Sequence, residues 1–361
     1  MALVRVKSVQ EQEQLLTQKE STSASLLAAL KALSDPLVQK GDLNEALRIS
    51  RLAVRVAEKS GDRMQLALAL YEVGAIQARR IPPEQALDYL EKSLAIFEEL
   101  GAKREQARTL LYMATAYDNE RRRDVAIKTA DKALALSRQL GDKELTARIF
   151  NILGTSHTEL GNTETAFEYF EKARVLSEEV NDKSTLTQVF NNIGRLYTAQ
   201  GRYAEGLDYL QRSLKIAEEM GSAGDRRSLA GKLQSIGLIY RRQGRLDQAL
   251  AYARKSLTIF EETDDKFGVT NLHNNIGVIY KAKGSYAEAL EWFQKAMQGY
   301  QALKVTPGIA RSFNNIGDTY RLQGRYDEAL ENLQQGLRLR EQMGDRGGVS
   351  LSLNNLGRLY Q

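Results

Sequence analysis

Apolar side chains recur along the chain at the three- and four-residue spacing of an amphipathic helix. In the segment 187–200 they fall on one predicted helical face: Val189, Phe190, Ile193, Leu196 and Tyr197. Gly201 follows, where a glycine in the left-handed conformation would end the helix. A second apolar stripe runs through 203–220, and a short polar connector comes after it. The pattern therefore predicts two consecutive helices, which we call helix A and helix B.

This pair of helices repeats along the whole chain. Aligning the glycine of the recurrent NNIG segment gives eight reference positions, separated by 40, 40, 40, 43, 40, 40 and 40 residues. They are Gly74, Ala114, Gly154, Gly194, Gly237, Gly277, Gly317 and Gly357. One further step back reaches Ser34, and the segment GDLNEAL at 41–47 fits the same frame. The sequence therefore contains eight repeats and the opening helix of a ninth.

Two recurrent residue types predict how the helices pack. A glycine inside helix A costs about 1 kcal/mol relative to alanine, so its recurrence indicates that helix B crosses there at close range. A tyrosine follows three residues later in most repeats, and we expect its ring in the core with its hydroxyl at the boundary. The tyrosines are Tyr117, Tyr197, Tyr240, Tyr280, Tyr320 and Tyr360.

Composition supports an all-helical protein and excludes several classes. The 361 residues include only four prolines, no cysteine and two histidines. A disulfide framework, a thiolate metal site and a cysteine nucleophile are therefore excluded. No stretch is long and apolar enough for a transmembrane helix, and the first residues lack the apolar region of a signal peptide. No P-loop, GxGxxG, GxSxG, HExxH or EF-hand pattern is present. The net charge of +5 is small for this length.

The recurrent motif resembles that of a known family. Gly-x-x-Tyr followed by Gly-x-Tyr-x-Glu-Ala-Leu, as at 277–280 and 284–290, is similar to the tetratricopeptide repeat signature. The 40-residue period resembles the long-period subclass found in kinesin light chains and in bacterial regulatory proteins. This resemblance implies an all-α fold, an α-solenoid of helix-turn-helix repeats in a right-handed superhelix. HEAT and armadillo repeats have similar periods but lack the Gly/Tyr/Ala arrangement.

The repeat frame predicts the domain organisation and three irregularities. We expect the solenoid over 34–361 and a helical cap or linker over 1–33. Pro36 is expected to break or shift the first helix. The three-residue insertion falls near 221–224, where the composition predicts a flexible connector. The chain stops inside helix A of a ninth repeat, so we expect that it is a fragment of a longer protein.

The predicted binding surface is the part of helix A that the core does not use. This surface, here called the groove stripe, follows the positions of Gln188, Asn191, Arg195 and Thr198. The family resemblance implies that it lines a concave groove and contacts ligand peptides. The predicted peptide-binding residues are Asn151, Asn191, Arg195, Asn274, Lys281, Asn314, Arg321, Asn354 and Arg358. Arg148 and Arg311 flank them.

The asparagines of the groove stripe allow two interpretations. An asparagine amide can both donate to and accept from a peptide backbone, and arginine adds carboxylate binding. Alternatively, these asparagines bond between adjacent helices or face water. For the second asparagine of NNIG we expect a structural role, with bonds to the neighbouring repeat. The members of this second set are Asn192, Asn275, Asn315 and Asn355.

The sequence favours a non-catalytic interaction module that binds a protein or peptide, possibly an acidic one. The alternative is a sensor or regulatory arm of a larger bacterial signalling enzyme or transcription regulator. Base-by-base nucleic-acid reading is disfavoured, because the Asn/Arg stripe does not match a two-residue base code. His157 and His273 are expected in the core, and no metal, cofactor or membrane is predicted. We expect a cytoplasmic protein that is monomeric or associates weakly through its C-terminal half repeat.

Overall fold

The computed structural model describes residues 24–40, 42–79, 85–220 and 226–360, and this part of the chain forms 17 α-helices and no strand. The chain divides into an N-terminal unit, residues 1–225, and a C-terminal unit, residues 226–361. The division falls at the predicted three-residue insertion, which itself lies outside the described residues. Odd-numbered helices below are A helices, and even-numbered helices are B helices.

The N-terminal unit holds ten described helices. They are α1 (Ala24–Lys40), α2 (Leu43–Ser60), α3 (Arg63–Ala78), α4 (Ala86–Glu99), α5 (Lys103–Asn119), α6 (Arg123–Gln139), α7 (Lys143–Glu159), α8 (Thr163–Glu179), α9 (Lys183–Ala199) and α10 (Tyr203–Glu219). The C-terminal unit holds seven. They are α11 (Arg226–Arg242), α12 (Leu246–Glu262), α13 (Lys266–Ala282), α14 (Tyr286–Ala302), α15 (Thr306–Leu322), α16 (Tyr326–Gln342) and α17 (Arg346–Gly357).

Short turns with recurrent chemistry separate the helices. Gly201 ends α9 with a φ of +77°, the left-handed conformation that favours glycine. Asparagine takes the same role at Asn181, with a φ of +54°. The following Asp182 accepts a hydrogen bond from the backbone N–H of Thr185 at 3.1 Å and caps α9. Turn and cap thus form as the recurrent Gly-Asp and Asn-Asp pairs indicate.

Helix B crosses helix A at the reference glycine, as predicted. A Cβ added at Gly194 would lie 2.7 Å from Leu210 Cγ and 2.9 Å from the carbonyl oxygen of Gly206. A Cβ at Gly277 would lie 2.7 Å from the ring of Phe293. Real Cβ atoms essentially never come this close to another heavy atom. The glycine is therefore required by the contact between helices.

The A helices of consecutive repeats also contact each other within each unit. These contacts join α1 through α9 in the N-terminal unit, and α13, α15 and α17 in the C-terminal unit. The A helices therefore form one continuous side of each unit, and the B helices lie on the other. Large apolar side chains of the B helices fill the layer between them, including the fully buried Phe97, Phe170 and Phe293.

The first helix differs from the prediction. Helix α1 runs without interruption from Ala24 to Lys40 with Pro36 inside it, so the expectation of a broken helix is wrong. The proline lies near the C-terminal end of α1, and without an N–H it makes no bond to the carbonyl four residues earlier, at Ala32. The boundary predicted between residues 33 and 34 falls inside α1. The rest of the predicted cap lies outside the described residues.

Candidate ligand-binding stripe on the A helices

Asparagine pairs link the A helices of adjacent repeats. The Nδ2 of Asn192 on α9 donates to Oδ1 of Asn151 on α7 at 3.0 Å. The Nδ2 of Asn315 on α15 donates to Oδ1 of Asn274 on α13 at 2.8 Å. The structural role predicted for the second asparagine of NNIG is confirmed at these two positions. In each pair the acceptor is the asparagine at the first position of the motif in the preceding repeat.

Three of the predicted groove asparagines are consequently buried. Asn151, Asn274 and Asn314 expose only 3–5% of their surface. Asn314 donates to the carbonyl of Ala310 at 3.0 Å, and its amide exchanges hydrogen bonds with the hydroxyl of Ser352 on α17. The inter-helix role considered from the sequence is therefore present at all three positions. A ligand would meet these side chains only at the edge of the stripe.

Asn191 and Arg195 retain capacity for a partner. The amide oxygen of Asn191 is buried and accepts no hydrogen bond from the described residues. One turn further along α9, Arg195 is exposed and forms no ion pair with any part of the chain that the structure describes. On the last helix, Asn354 and the adjoining Arg358 are also exposed. These four residues are the open polar groups of the predicted set.

The two remaining predicted bases share one carboxylate. Asp318 accepts from Nζ of Lys281 at 2.8 Å and from Nη2 of Arg321 at 2.8 Å. All three side chains expose less than a fifth of their surface. Burial alone would raise the pKa of Asp318, but the hydrogen bonds and charges of Lys281 and Arg321 together lower it. This part of the stripe therefore carries one net positive charge.

A cluster of arginines and tyrosines lies on α3, α5 and α7. The hydroxyl of Tyr112 accepts from Nη2 of Arg79 at 2.9 Å and from Nη2 of Arg148 at 3.2 Å. The ring of Tyr112 meets Tyr71 edge-on, with centroids 5.6 Å apart. The guanidinium of Arg108 lies over the Tyr71 ring, 5.1 Å from its centroid. We call these five residues the arginine–tyrosine cluster.

The two tyrosines of this cluster differ in acidity. Burial would raise the pKa of Tyr112, but the charges of Arg79 and Arg148 and their hydrogen bonds lower it. For Tyr71, burial raises the pKa, and the neighbouring Tyr112 adds to the effect. The two guanidiniums therefore favour negative charge on the Tyr112 oxygen.

The sequence pattern identified only one member of this cluster. The repeat pattern predicts that Arg148 lies beside the groove, but it gives no indication of a role for Arg108 or Tyr112. The available signal was the register, because Arg108 and Arg148 both stand six residues before their reference positions, Ala114 and Gly154. The tyrosine contacts depend on neighbouring helices and follow from no local motif.

The two histidines border the core. His157 stacks on Tyr169 with centroids 5.4 Å apart, and His273 lies 5.3 Å from the ring of Trp292. Burial lowers the pKa of His273, and the charge of Lys295 lowers it further. Among the described side chains, no group of three or more His, Asp or Glu is arranged to hold a metal ion. None of the described helices is long and apolar enough to cross a membrane.

A family model described as tetratricopeptide repeat matches residues 105–179, 185–262, 228–302, 268–342 and 308–361. These matches overlap and together cover more than half of the chain. The chain belongs to the tetratricopeptide repeat family. Its alternating A and B helices are the tandem helical pairs of an α-solenoid. Such a solenoid is a scaffold for protein interactions. A comparison with curated proteins found no match.

Solved structures confirm this fold. A signal transduction ATPase with numerous domains (STAND) that carries a tetratricopeptide repeat sensor, from Pyrococcus horikoshii, superposes with a TM-score of 0.68 at 16% identity. The match covers 89% of this chain and 49% of that one. A Rap protein complexed with competence and sporulation factor matches with a TM-score of 0.62 at 13% identity, over 93% and 98% of the two chains.

A structure solved as part of a larger assembly gives a similar result. The Cut9–Hcn1 hetero-tetramer of the APC/C matches with a TM-score of 0.63 at 15% identity, over 99% of this chain and 61% of that one. At these identities the likeness establishes the tetratricopeptide solenoid alone.

Proposed function

We propose that this tetratricopeptide repeat protein is a non-catalytic module that binds an extended peptide or protein segment along the groove stripe of its A helices. The observation that carries the proposal is the unused polar capacity of α9. Asn191 is half-buried and its amide oxygen accepts from none of the described residues, while Arg195 presents an exposed guanidinium. A buried acceptor left unpaired costs about 1–3 kcal/mol, and the Asn191 amide would recover this cost if it turned toward a bound segment and accepted a backbone N–H from it.

The asparagine links support a preformed surface. Asn151 and Asn192 join α7 to α9, so the helix that presents Asn191 and Arg195 is fixed relative to its neighbour. A binding surface that is already ordered avoids the entropy cost of ordering on association. The Rap protein, which shares this fold, was solved in complex with competence and sporulation factor, and this likeness supports a binding role for the solenoid.

The charge of the stripe supports an acidic ligand. In the N-terminal unit Arg195 is exposed. In the C-terminal unit Arg358 is exposed, and Lys281 with Arg321 outnumber the carboxylate of Asp318. Each unit by itself therefore presents positive charge on its A helices. The affinity for a partner bound through such exposed charges decreases as salt is added. The proposal places the module in the cytoplasm, as a monomer or with weak self-association, and with neither nucleic acid nor membrane as its partner. A single-stranded RNA that bound with steep salt dependence would contradict that part.

A display experiment tests the proposed function. Short random peptides are selected on the whole chain, and their affinities are measured by fluorescence anisotropy. In the double variant Asn191→Ala/Arg195→Gln we expect affinity to fall at least about tenfold, because a hydrogen bond and a charge are lost. Neither side chain forms a hydrogen bond or an ion pair with the described chain, so helicity is expected to stay unchanged. Asn314 is a poor test, because its side chain bonds to Ser352.

A charge-matched control distinguishes a loss of affinity caused by the groove residues from one caused by the change in net charge. Arg212 on helix α10 is more than half exposed and pairs with Asp208, so Arg212→Gln removes the same charge from a B helix. Selected peptides should bind this variant as they bind the unchanged chain. Failure to enrich any peptide, or equal binding by the double variant, would contradict the proposal.

A second candidate is a regulatory arm of a larger signalling protein. It is favoured by the likeness to the STAND protein, which carries a tetratricopeptide repeat sensor and of which this chain spans about half. The sequence of the parent gene on either side of this chain tests it. An adjoining nucleotidase, kinase or DNA-binding domain would support the arm, and a chain that stands alone would exclude it.

A further inference from the structure

The repeat formed by α13 and α14 lacks two side chains that the other repeats carry on helix B. Gly299 stands where every other repeat with a helix B has an aliphatic residue. Those residues are Val56, Ile96, Leu136, Leu176, Ile216, Ile259 and Leu339. Three residues later, Ala302 stands where every other repeat has a long polar side chain. Those side chains belong to Lys59, Glu99, Gln139, Glu179, Glu219, Glu262 and Gln342. Both departures shorten the same face of α14.

A cleft opens at this place in the C-terminal unit. It has a volume of about 410 Å³ and is lined by the end of α12, the first half of α13 and the second half of α14. Gly299 and Ala302 form part of its wall, together with Phe260, Thr270 and Leu303. Pockets that hold small molecules have volumes of about 300–1,000 Å³. The two shortened positions of α14 therefore coincide with an open cleft of ligand size.

Thr270 fills only part of the space beside Gly299. A Cβ atom added at Gly299 would collide with the Thr270 side chain. In five of the six repeats with isoleucine or leucine at the Gly299 position, the residue equivalent to Thr270 is alanine. The methyl and hydroxyl groups of threonine are smaller than the isobutyl group of leucine. The exchange of two side chains between α13 and α14 therefore leaves the site open.

The cleft also contains an ammonium group without the partner that equivalent bases have. In four other repeats, the base that begins helix A pairs with the glutamate at the Ala302 position of helix B. These pairs are Arg63–Glu99, Lys143–Glu179, Lys183–Glu219 and Arg226–Glu262. Lys266 begins α13 in the same way and lines the cleft, as Ala302 does. Within the described chain Lys266 is exposed and forms no ion pair.

A histidine and a second lysine add polar chemistry to the cleft. His273 lines it at a position where all the other repeats have leucine or phenylalanine. The ring centroids of His273 and Trp292 are 5.3 Å apart, and Nζ of Lys295 lies 4.5 Å from the Trp292 centroid. Burial lowers the pKa of His273, and the charge of Lys295 lowers it further. Lys295 also lines the cleft, so both side chains are available to a molecule bound there.

Two carboxylates limit the charge of a suitable ligand. Glu261 and Asp264 also border the cleft, and they are exposed and form no ion pair with any described residue. Together they balance the charges of Lys266 and Lys295. A ligand with a single negative charge therefore fits this cleft better than a polyanion, which the two carboxylates would repel.

We propose that this cleft binds a small monocarboxylate with a branched apolar body. The body would occupy the space that isoleucine or leucine fills in the other repeats. The carboxylate would take the place of the missing glutamate beside Lys266, with Lys295 and His273 along the same wall. The site lies between B helices of the C-terminal unit and shares no residue with the groove stripe. The inference therefore goes beyond the proposed function and does not depend on it.

Three small probes test the cleft on the whole chain. Isocaproate has a branched body and one carboxylate, isocaproamide has the same body without the charge, and acetate has the charge without the body. Binding is measured by calorimetry and by the fluorescence of Trp292, the only tryptophan of the chain. We expect saturable binding of isocaproate, and binding of the other two at least about tenfold weaker, because each lacks one of the two interactions.

The imidazole of His273 provides a second readout. The chain has only two histidines, so the ring protons of His157 serve as an internal reference in a nuclear magnetic resonance titration. A carboxylate bound in the cleft would offset the charge of Lys295 and raise the pKa of His273 toward its ordinary value of about 6.5. The pKa of His157 should stay unchanged, and isocaproamide should move neither.

Two variants restore what the other repeats have. Thr270→Ala/Gly299→Leu fills the apolar space without a change of charge and should lower the affinity for isocaproate at least about tenfold. Ala302→Glu gives Lys266 a carboxylate on its own chain, which competes with the ligand, and should lower the affinity at least about threefold. Gln139→Glu is the matched control, because it makes the same charge change at the same repeat position of α6. It should bind isocaproate as the unchanged chain does.

The outcomes decide the proposal separately from the groove experiment. Equal binding of the three probes would overturn it, and so would unchanged affinity in Thr270→Ala/Gly299→Leu that retains its helicity by circular dichroism. If Gln139→Glu weakened binding as much as Ala302→Glu, the effect would be one of net charge and the assignment of Lys266 would be wrong. None of these variants changes Asn191 or Arg195, so peptide binding along the groove stripe is tested independently.

Discussion

The crossing of helices A and B predicts opposite effects for two glycine substitutions in the C-terminal unit. Gly317 on α15 lies under helix α16, and an added Cβ would meet Leu333 Cγ at 2.8 Å and the carbonyl oxygen of Ala329 at 3.0 Å. Gly231 lies inside helix α11, and an added Cβ there meets nothing within 4 Å. Both glycines thus lie inside an A helix, but only Gly317 lacks room for a Cβ atom.

The expected magnitudes follow from two contributions. Alanine removes the cost of glycine in a helix interior, about 1 kcal/mol, at both positions. At Gly317 the methyl group must also push helix α16 away, and overpacking of this kind costs about 1–3 kcal/mol. The backbone oxygen of Ala329 cannot move as a side chain can. Gly231→Ala should therefore stabilise by about 1 kcal/mol, while Gly317→Ala should be neutral or destabilise by up to about 2 kcal/mol.

Hydrogen exchange of individual helices is the appropriate assay. Repeat proteins can open locally, so a single melting temperature does not define the stability of one crossing. Amides of α15 and α16 report on Gly317→Ala, and amides of α11 report on Gly231→Ala. The reasoning is refuted if Gly317→Ala protects its helices as much as Gly231→Ala protects α11.

Two further predictions concern titratable groups of the same unit. The pKa of His273 is lowered by burial, so its contribution to stability is present above about pH 6.5 and is lost as the pH falls through its lower folded value; His273→Phe should flatten this dependence in denaturant unfolding. Asp318→Asn should destabilise by about 1–3 kcal/mol at pH 7, because Lys281 and Arg321 lose their shared carboxylate. The lowered pKa of Asp318 means that this loss disappears only in acid, and unchanged unfolding at pH 7 would contradict the assignment.

The repeat frame made most of the fold predictable from the sequence. Each reference glycine indicated a close crossing, and the structure places Leu210 against Gly194 and Phe293 against Gly277. The prediction at Pro36 failed for a local reason. A proline destabilises a helix interior, because it lacks a backbone N–H. In α1 the helix nevertheless continues through Pro36 to Lys40.

The candidate site was less predictable, because it depends on contacts across repeats. The same asparagine type at equivalent positions has different environments: Asn151 and Asn274 accept from the next repeat, whereas Asn354 on the last helix is exposed. The pairing of Lys281 with Asp318 likewise joins α13 to α15. An alignment of single repeats identifies these positions, but it does not show whether a residue of the adjacent repeat already forms hydrogen bonds with their polar atoms.

Specificity in this fold therefore resides where the repeats differ. Positions that recur in nearly every repeat, such as the reference glycine, lie in the contact between helix A and helix B. They are therefore not accessible to a ligand. Six residues before the reference position, by contrast, the chain has Arg108, Arg148, Gln188 and Asn271 in different repeats. Three of these residues contact a tyrosine that orders them: Tyr71 for Arg108, Tyr112 for Arg148, and Tyr300, whose hydroxyl donates to Oδ1 of Asn271 at 2.7 Å. A segment bound along the A helices of one unit would meet a different set of polar groups in each repeat.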